Sequence, residues 1–365
     1  MHRAPRGRSP LHRLRSHLGL LQSHLGLLRK HLGWAVGAAY LAAAAAPGPG
    51  LWLRRTHPVL QVPVDTSHLL LSLVLFSAGL QVPVRDLRSL VRRPTPLLTG
   101  LVLHLVAPLL IIPGVAFALR HSPDSDGGSG LIAGMIVIVA MPVAAGATVW
   151  TGKGAGDQPT TVGLVLTSTF VSPLTIPVTM TALCPLLDGA YAGTLAAAAQ
   201  TAGSGFALSG VLPCGAGILC RTALPQRLTA RLLDLAVPAA LLGSLLLTYV
   251  NAGAALAPFL THPEPLLFTA ALTVSATVCG LSFALGAITT RLLRLDASVG
   301  ASVTLACGMT NSSAGAVLVA TTLPDRPHVL LPVLAYSLLQ KVAAGRVVRG
   351  GRRRRARAWH GGDRS

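Results

Sequence analysis

Long apolar stretches alternate along this chain with short polar or charged segments, and most of the apolar ones have membrane-spanning length. A helix needs about 20 apolar residues to cross a bilayer. Ten candidates are found, near residues 31–53, 67–82, 96–119, 131–151, 160–182, 196–219, 236–256, 266–288, 299–321 and 328–346. Pro47-Gly48-Pro49-Gly50 is expected to end the first helix early, and the second stretch is short for a full span. Two stretches are interrupted. Within 131–151, Pro142-Val143-Ala144-Ala145-Gly146-Ala147-Thr148 divides a series of Ile, Val and Met. Within 299–321, Gly308-Met309-Thr310-Asn311-Ser312-Ser313-Ala314-Gly315 does the same. Unpaired backbone groups are costly in lipid, so a broken helix is tolerated only where it faces protein or a cavity. A pair of such breaks at equivalent places points to the binding site of a secondary transporter.

The breaks occupy matching places in two halves. Spans one to five end near Leu183, and spans six to ten begin near Thr194. Five is odd, so the second half enters the membrane from the opposite side, giving an inverted repeat. The landmarks agree. The fourth span of each half carries the polar break, and the fifth an internal proline, Pro173 or Pro332. The third holds Pro108 and Pro113 in one half, Gly280 and Gly286 in the other. The predicted fold is an all-α membrane protein with ten transmembrane helices in a 5+5 arrangement. The division runs from a basic tail (1–30) through two repeats (31–189 and 190–346) to a second basic tail (347–365).

Charge orients this drawing. Hydrophobic residues are 52% of the chain and charged ones 11%, against about 25% charged in soluble domains. Of 30 Lys and Arg, only Arg54, Arg55, Arg120 and Arg326 fall on the side opposite the termini. Basic loops mark the cytoplasmic face, so both termini of this multi-pass protein are expected inside. The net charge of +19 is then a topology signal spread over every cytoplasmic loop rather than a nucleic-acid surface. The run Arg352-Arg353-Arg354-Arg355-Ala356-Arg357 also suits anionic lipid.

At the N-terminus, Ser16-His17-Leu18-Gly19-Leu20-Leu21 repeats as Ser23-His24-Leu25-Gly26-Leu27-Leu28 and is echoed at His31-Leu32-Gly33. Zinc sites favour closer ligand pairs with Cys or carboxylate partners, so the repeat reads as an amphipathic lead-in at the membrane surface. Cys184, Cys214, Cys220, Cys279 and Cys307 are odd in number and lack a C-x-x-C spacing. They suit packing better than a disulfide framework or a metal cluster.

The polar residues inside spans are the functional candidates. His104 lies mid-span and can carry a coupling proton or bond a neighbouring helix as the neutral ring. Asn311 and Ser312 offer side-chain groups to a substrate carboxylate or a cation, although such residues also bond across helices. Gln340 and Lys341 lie in the cytoplasmic half of the last span, where Lys341 either pairs with an anion or snorkels to the surface. All eleven acidic residues fall in loops, at membrane edges or in tails. Cation/proton antiport, which needs buried carboxylates, is therefore disfavoured. Neither H-E-x-x-H nor a nucleophile–base pair is found, so no enzyme is expected.

An ordered set of motifs resembles the bile acid:sodium symporter family. These are Phe76-Ser77-Ala78-Gly79-Leu80, Met141-Pro142-Val143-Ala144-Ala145-Gly146-Ala147-Thr148, Ser168-Thr169-Phe170-Val171-Ser172-Pro173-Leu174, Val211-Leu212-Pro213 and Gly308-Met309-Thr310-Asn311-Ser312. The resemblance implies a panel domain of spans one, two, six and seven and a core of the others, with spans four and nine crossing as broken helices. It also implies an organic anion substrate, a bile acid or a small carboxylate such as a pantoate-like acid or pyruvate, moved by alternating access and coupled to sodium. Together with the topology, it gives the prokaryotic inner membrane as the expected location. By the same resemblance a Ser-Asn pair of the first sodium site reads Ala147-Thr148 here, and two span-five hydroxyls fall at Thr161 and Val165. The acidic residue shared by both sodium sites is Ala306, one glutamine is Thr310 and another, in span three, is His104; Asn311 is kept. The sodium ligands are thus eroded, leaving weakly coupled, proton-linked and uncoupled transport open, together with a degenerate transporter acting as sensor or scaffold. The expected substrate-binding residues are Asn311, Ser312, Ala145, Gln340 and Lys341. The expected ion-binding residues are Thr148, Thr161, Thr310, His104, Met309 and Cys307. Apart from sodium as a coupling ion, no cofactor is expected.

Overall fold

The computed structural model describes residues 32–54, 57–59, 62–83, 94–119, 128–154, 156–261 and 263–362. The N-terminal tail, its histidine repeat and the side chains of the C-terminal arginine run lie outside the described residues.

Every apolar stretch is helical, and prolines set the irregularities. Helices α1 (Leu32–Ala45) and α2 (Pro47–Arg54) meet at 94°. Pro47 and Pro49 bring no N–H to continue the first ladder, so the chain turns where the Pro-Gly run stands. A short hairpin, β1 (His57–Val59) with β2 (Val62–Val64), leads to α3 (Thr66–Leu80). Then follow α4 (Pro94–Leu119), α5 (Ser129–Ala140), α6 (Gly146–Lys153) and α7 (Gln158–Leu183). Helix α8 (Gly189–Phe206) passes through a wider turn, Ala207–Val211, into α9 (Leu212–Ala223). That turn lies just before Pro213, whose missing N–H loosens the ladder. The remaining helices are α10 (Gln226–Thr261), α11 (Pro265–Leu292), α12 (Ala297–Gly308), α13 (Ser312–Thr322) and α14 (Leu330–Gly362).

Among the described residues, six helical segments can cross a bilayer by length and composition, or seven if the bent α1–α2 pair counts as one; α3, α5, α12 and α13 are shorter apolar helices. Acidic residues stand where helices begin. Asp65, Asp157, Asp188, Glu264 and Asp296 each directly precede a helix. The Asp65 carboxylate accepts from Ser67 N (2.7 Å) and that of Asp157 from Thr160 N (3.0 Å). Each thereby takes up an otherwise unbonded N–H and complements the positive helix end.

The packing has two parts. Helix α10 lies along α1, α2 and α3, and α3 presses against α9. Gly79 of α3 abuts the Cys214 carbonyl, and Gly217 of α9 abuts the Phe76 carbonyl. A methyl group at either position would strike backbone, so only glycine permits this reciprocal approach. Around α5 are grouped α4, α7, α11, α13 and α14. All twelve residues of α5 are buried, as expected of a helix apolar on every side.

The two faces of the bundle are fixed by loop contacts. On one, Asp188 N donates to Ser129 Oγ (3.2 Å), and Tyr191 Oη and His328 Nε2 are 2.7 Å apart. On the other, Asp157 N donates to Ser298 O (3.1 Å) and Ser302 Oγ to Asp157 O (2.9 Å). Call these the α8 face and the α7 face, after the helices that begin there.

Candidate functional site

The two sequence breaks are real breaks, and they meet. Helix α5 stops at Ala140 because Met141 precedes Pro142 and takes extended backbone, with ψ of 149°. Helix α12 stops at Gly308, where a side chain would collide with the Phe283 ring. Between the stops and the restarts at α6 and α13, the chains pair antiparallel at Val143 and Thr310. Ala144 N donates to Met309 O (2.9 Å) and Asn311 N to Pro142 O (2.8 Å). Each break therefore satisfies part of the other.

Side chains from neighbouring helices close most of the rest. His104 Nε2 lies 3.1 Å from Met141 O. A carbonyl can only accept, so Nε2 carries the hydrogen. That bond ties α4 to the first broken helix. Ser168 Oγ accepts from Val143 N (3.0 Å), Gln340 Oε1 from Thr310 N (2.9 Å), and Tyr336 Oη donates to Gly308 O (3.1 Å). Asn311 caps α13 through Oδ1, which accepts from Ala314 N at 3.2 Å. Its amide nitrogen keeps no partner among the described residues. One atom stays unanswered at the junction: Thr310 Oγ1 is buried with no hydrogen-bond partner.

Most of the sequence-predicted residues gather here. Ser312 Oγ bonds Ser337 Oγ (2.9 Å) and receives Gln340 Nε2 (3.3 Å), while Lys341 Nζ donates to Ser337 Oγ (3.4 Å). Met309 supplies the carbonyl that holds Ala144, next to Ala145. Thr148 lies one turn into α6, its hydroxyl spent on Ala145 O at 2.8 Å. Two residues stand apart. Thr161 is fully buried between Thr151 Oγ1 (2.9 Å) and Asp157 O (3.3 Å), and Cys307 packs against Gly286 of α11. Sequence reasoning missed Ser337, Tyr336 and Tyr40, whose hydroxyl reaches Leu334 O at 3.2 Å. Ser337 carried a usable signal, since it lies one turn before Lys341 on the same face.

A cleft adjoins the junction on one side, and exposed backbone lies beyond it. A cleft of about 200 Å³ enters from the α8 face between α3, α7, α8 and α13 and ends against Met141 and Ala314. Its lining mixes Leu71, Ile176, Phe206 and Val317 with Thr201, Ser209, Thr321 and Thr322. Beyond the junction Gly146 is exposed with nothing nearby, and Ala144, Ala145, Asn311, Ser312, Ser313 and Lys341 are only half-buried.

The sodium ligands implied by resemblance do not assemble. Ala306 and Val165 are buried and apolar, and the Thr148 and Thr161 hydroxyls are bonded to protein oxygens. Among the described residues no carboxylate lies near the crossing. Sodium is a hard cation that needs several free oxygens, and this donor set does not fit it.

Comparison with known proteins agrees with the architecture. Residues 68–262 match the family model described as the Sodium Bile acid symporter family. The chain is also 24% identical over 273 residues to the uncharacterized protein YbaS of Bacillus subtilis (strain 168), covering 74% of this chain and 83% of that relative. A multi-pass bundle whose family model spans more than half the chain belongs to the sodium bile acid symporter family.

Proposed function

We propose that this protein is a secondary transporter that carries an organic anion across the membrane by alternating access. In this reading α1–α2, α3, α8–α9 and α10 form a panel and the other helices a core. Helices α5–α6 and α12–α13 are the fourth and ninth of ten spans in an inverted repeat. The carrying observation is the antiparallel junction of two broken helices, with a cleft on the α8 face and half-buried polar residues beyond it.

Chemistry favours an anion. Helices α6 and α13 both begin at the junction, and a helix N-terminus carries partial positive charge. The Asn311 amide and the Thr310 hydroxyl add donors. A carboxylate held by Asn311 and Ser312 would be exposed to one cleft or the other as the core shifts against the panel. Gln340 plays a supporting part, since its amide is already engaged by Thr310 N and Ser312.

Uptake of radiolabelled carboxylates into proteoliposomes tests the reading. Saturable, protein-dependent uptake of at least one acid is expected. Flat uptake across short monocarboxylates, dicarboxylates and bile acids would contradict it.

A further inference from the structure

Resting on the transporter reading above, we propose that the Lys341 ammonium is the fixed counter-charge for the carried anion, standing where a metal cation would otherwise be required. The substrate is then a small monocarboxylate, and its transport is sodium-independent.

The first support is position. Lys341 lies eleven residues beyond Leu330, the start of α14, which at about 1.5 Å per residue is roughly 17 Å along the axis. That is near the middle of a hydrocarbon layer about 30 Å thick. A lysine that snorkels extends its ammonium to the nearer surface. Here Nζ instead reaches back one turn to Ser337 (3.4 Å), which is bonded to Ser312 at the start of α13 (2.9 Å). The charge is thus two hydrogen bonds from the crossing.

The second support is what faces it. Five described acidic residues stand at helix starts, Asp234 is exposed near the start of α10, and Asp325 lies exposed in the loop before α14. The ion pair found among the described residues joins His68 and Asp65, and does not involve Lys341. An intramembrane charge without a protein counter-ion is a functional candidate by default. Its ammonium has three N–H groups, of which Ser337 takes one.

The third support is the sense of the unused groups nearby. The Asn311 amide nitrogen offers only N–H, and the buried Thr310 hydroxyl has no partner. The ammonium and the amide N–H suit a carboxylate and repel sodium, and the Thr310 hydroxyl can turn its hydrogen to the same anion. A single cation balances a single carboxylate. The cleft leading to the crossing, at about 200 Å³, is below the roughly 300–1,000 Å³ typical of drug-sized ligands, so a short acid fits and a sterol acid does not.

The test uses the full chain in proteoliposomes, a panel of radiolabelled short monocarboxylates, and sodium chloride or choline chloride outside. Wild type is expected to take up at least one acid equally in both salts. Lys341→Met should lower that uptake at least tenfold, with Lys341→Arg retaining more than Lys341→Met. Thermal unfolding should show Lys341→Met as stable as wild type, because a buried unpaired charge is replaced by an apolar chain of similar length. Uptake that needs sodium, or that survives in Lys341→Met, overturns the proposal while leaving the transporter reading intact. No uptake by wild type in either salt overturns the transporter reading itself. Should Lys341→Met not fold, the wild-type comparison of the two salts still decides.

Discussion

Asn311 shows why a proposed site residue at a helix break must be tested with two substitutions. Its carbonyl oxygen caps α13 and its amide nitrogen faces no protein acceptor. Asn311→Ala removes both and should cost about 0.5–2 kcal/mol of stability through the lost cap. Asn311→Asp keeps an oxygen for Ala314 N, discards the donor and adds a like charge for any anion. It should unfold near the wild-type temperature yet lose uptake almost completely; full uptake by Asn311→Asp would move the site elsewhere. His104 separates in the same way. Its ring donates to Met141 O, a structural duty that the neutral form performs. His104→Leu strands that carbonyl and should destabilise the protein by about 1–3 kcal/mol. His104→Gln restores a donor, and uptake by that variant at wild-type level would exclude a proton relay through this ring. At the membrane edge Asp65 sets an acid limit. Burial pushes its carboxyl upward, but hydrogen bonds from His68 and Ser67 N prevail and hold it below the ordinary 3.8. A lowered folded-state value stabilises the protein above the unfolded pKa, and that contribution fades as pH falls through the folded one. The stability difference between wild type and Asp65→Asn should therefore be clear at neutral pH and shrink toward pH 3, as followed by thermal unfolding.

Among the elements, the breaks were the part most legible from the chain. Pro142 forces Met141 out of helical geometry, and Gly308 to Asn311 combine a close-packing glycine with a capping side chain. Such causes are local, so the sequence exposes them. Their partners are not local. That Gln340 would take Thr310 N, Tyr336 the Gly308 carbonyl, or Ser168 the Val143 N–H depends on which helix packs alongside. Nothing in the spacing of α14 reveals that before the fold is known. Helix ends were misjudged for a related reason. Helix α10 runs from Gln226 to Thr261 rather than 236–256, because a helix continues past the apolar layer through Arg227, Arg231 and Asp234, where an apolar window stops. The glycine contacts between α3 and α9 give a prediction at this scale. Gly79→Ala should destabilise strongly, since the methyl meets the Cys214 carbonyl, whereas Gly114→Ala in α4 faces open space and should be neutral or slightly stabilising. Equal unfolding temperatures for the two would show that the α3–α9 approach is not tight.

At the scale of the whole molecule, the proposed function rests on two arrangements of one site rather than on any single residue. The junction holds its backbone groups within the protein, so the core can move as a unit without exposing bare N–H or C=O groups to lipid. In the proposed cycle, solvent reaches the junction alternately from its two sides, as in other transporters that centre binding on broken helices. Accessibility is the direct measure. Leu318 lines the cleft on the α8 face, and Gly146 is exposed beyond the junction. Single cysteines at these positions, in a protein whose five native cysteines have been replaced, can be labelled in oriented vesicles with a membrane-impermeant maleimide. The account predicts that Leu318→Cys reacts from one side of the membrane and Gly146→Cys from the other, with a transported acid changing the two rates in opposite directions. Labelling of both from the same side would contradict it.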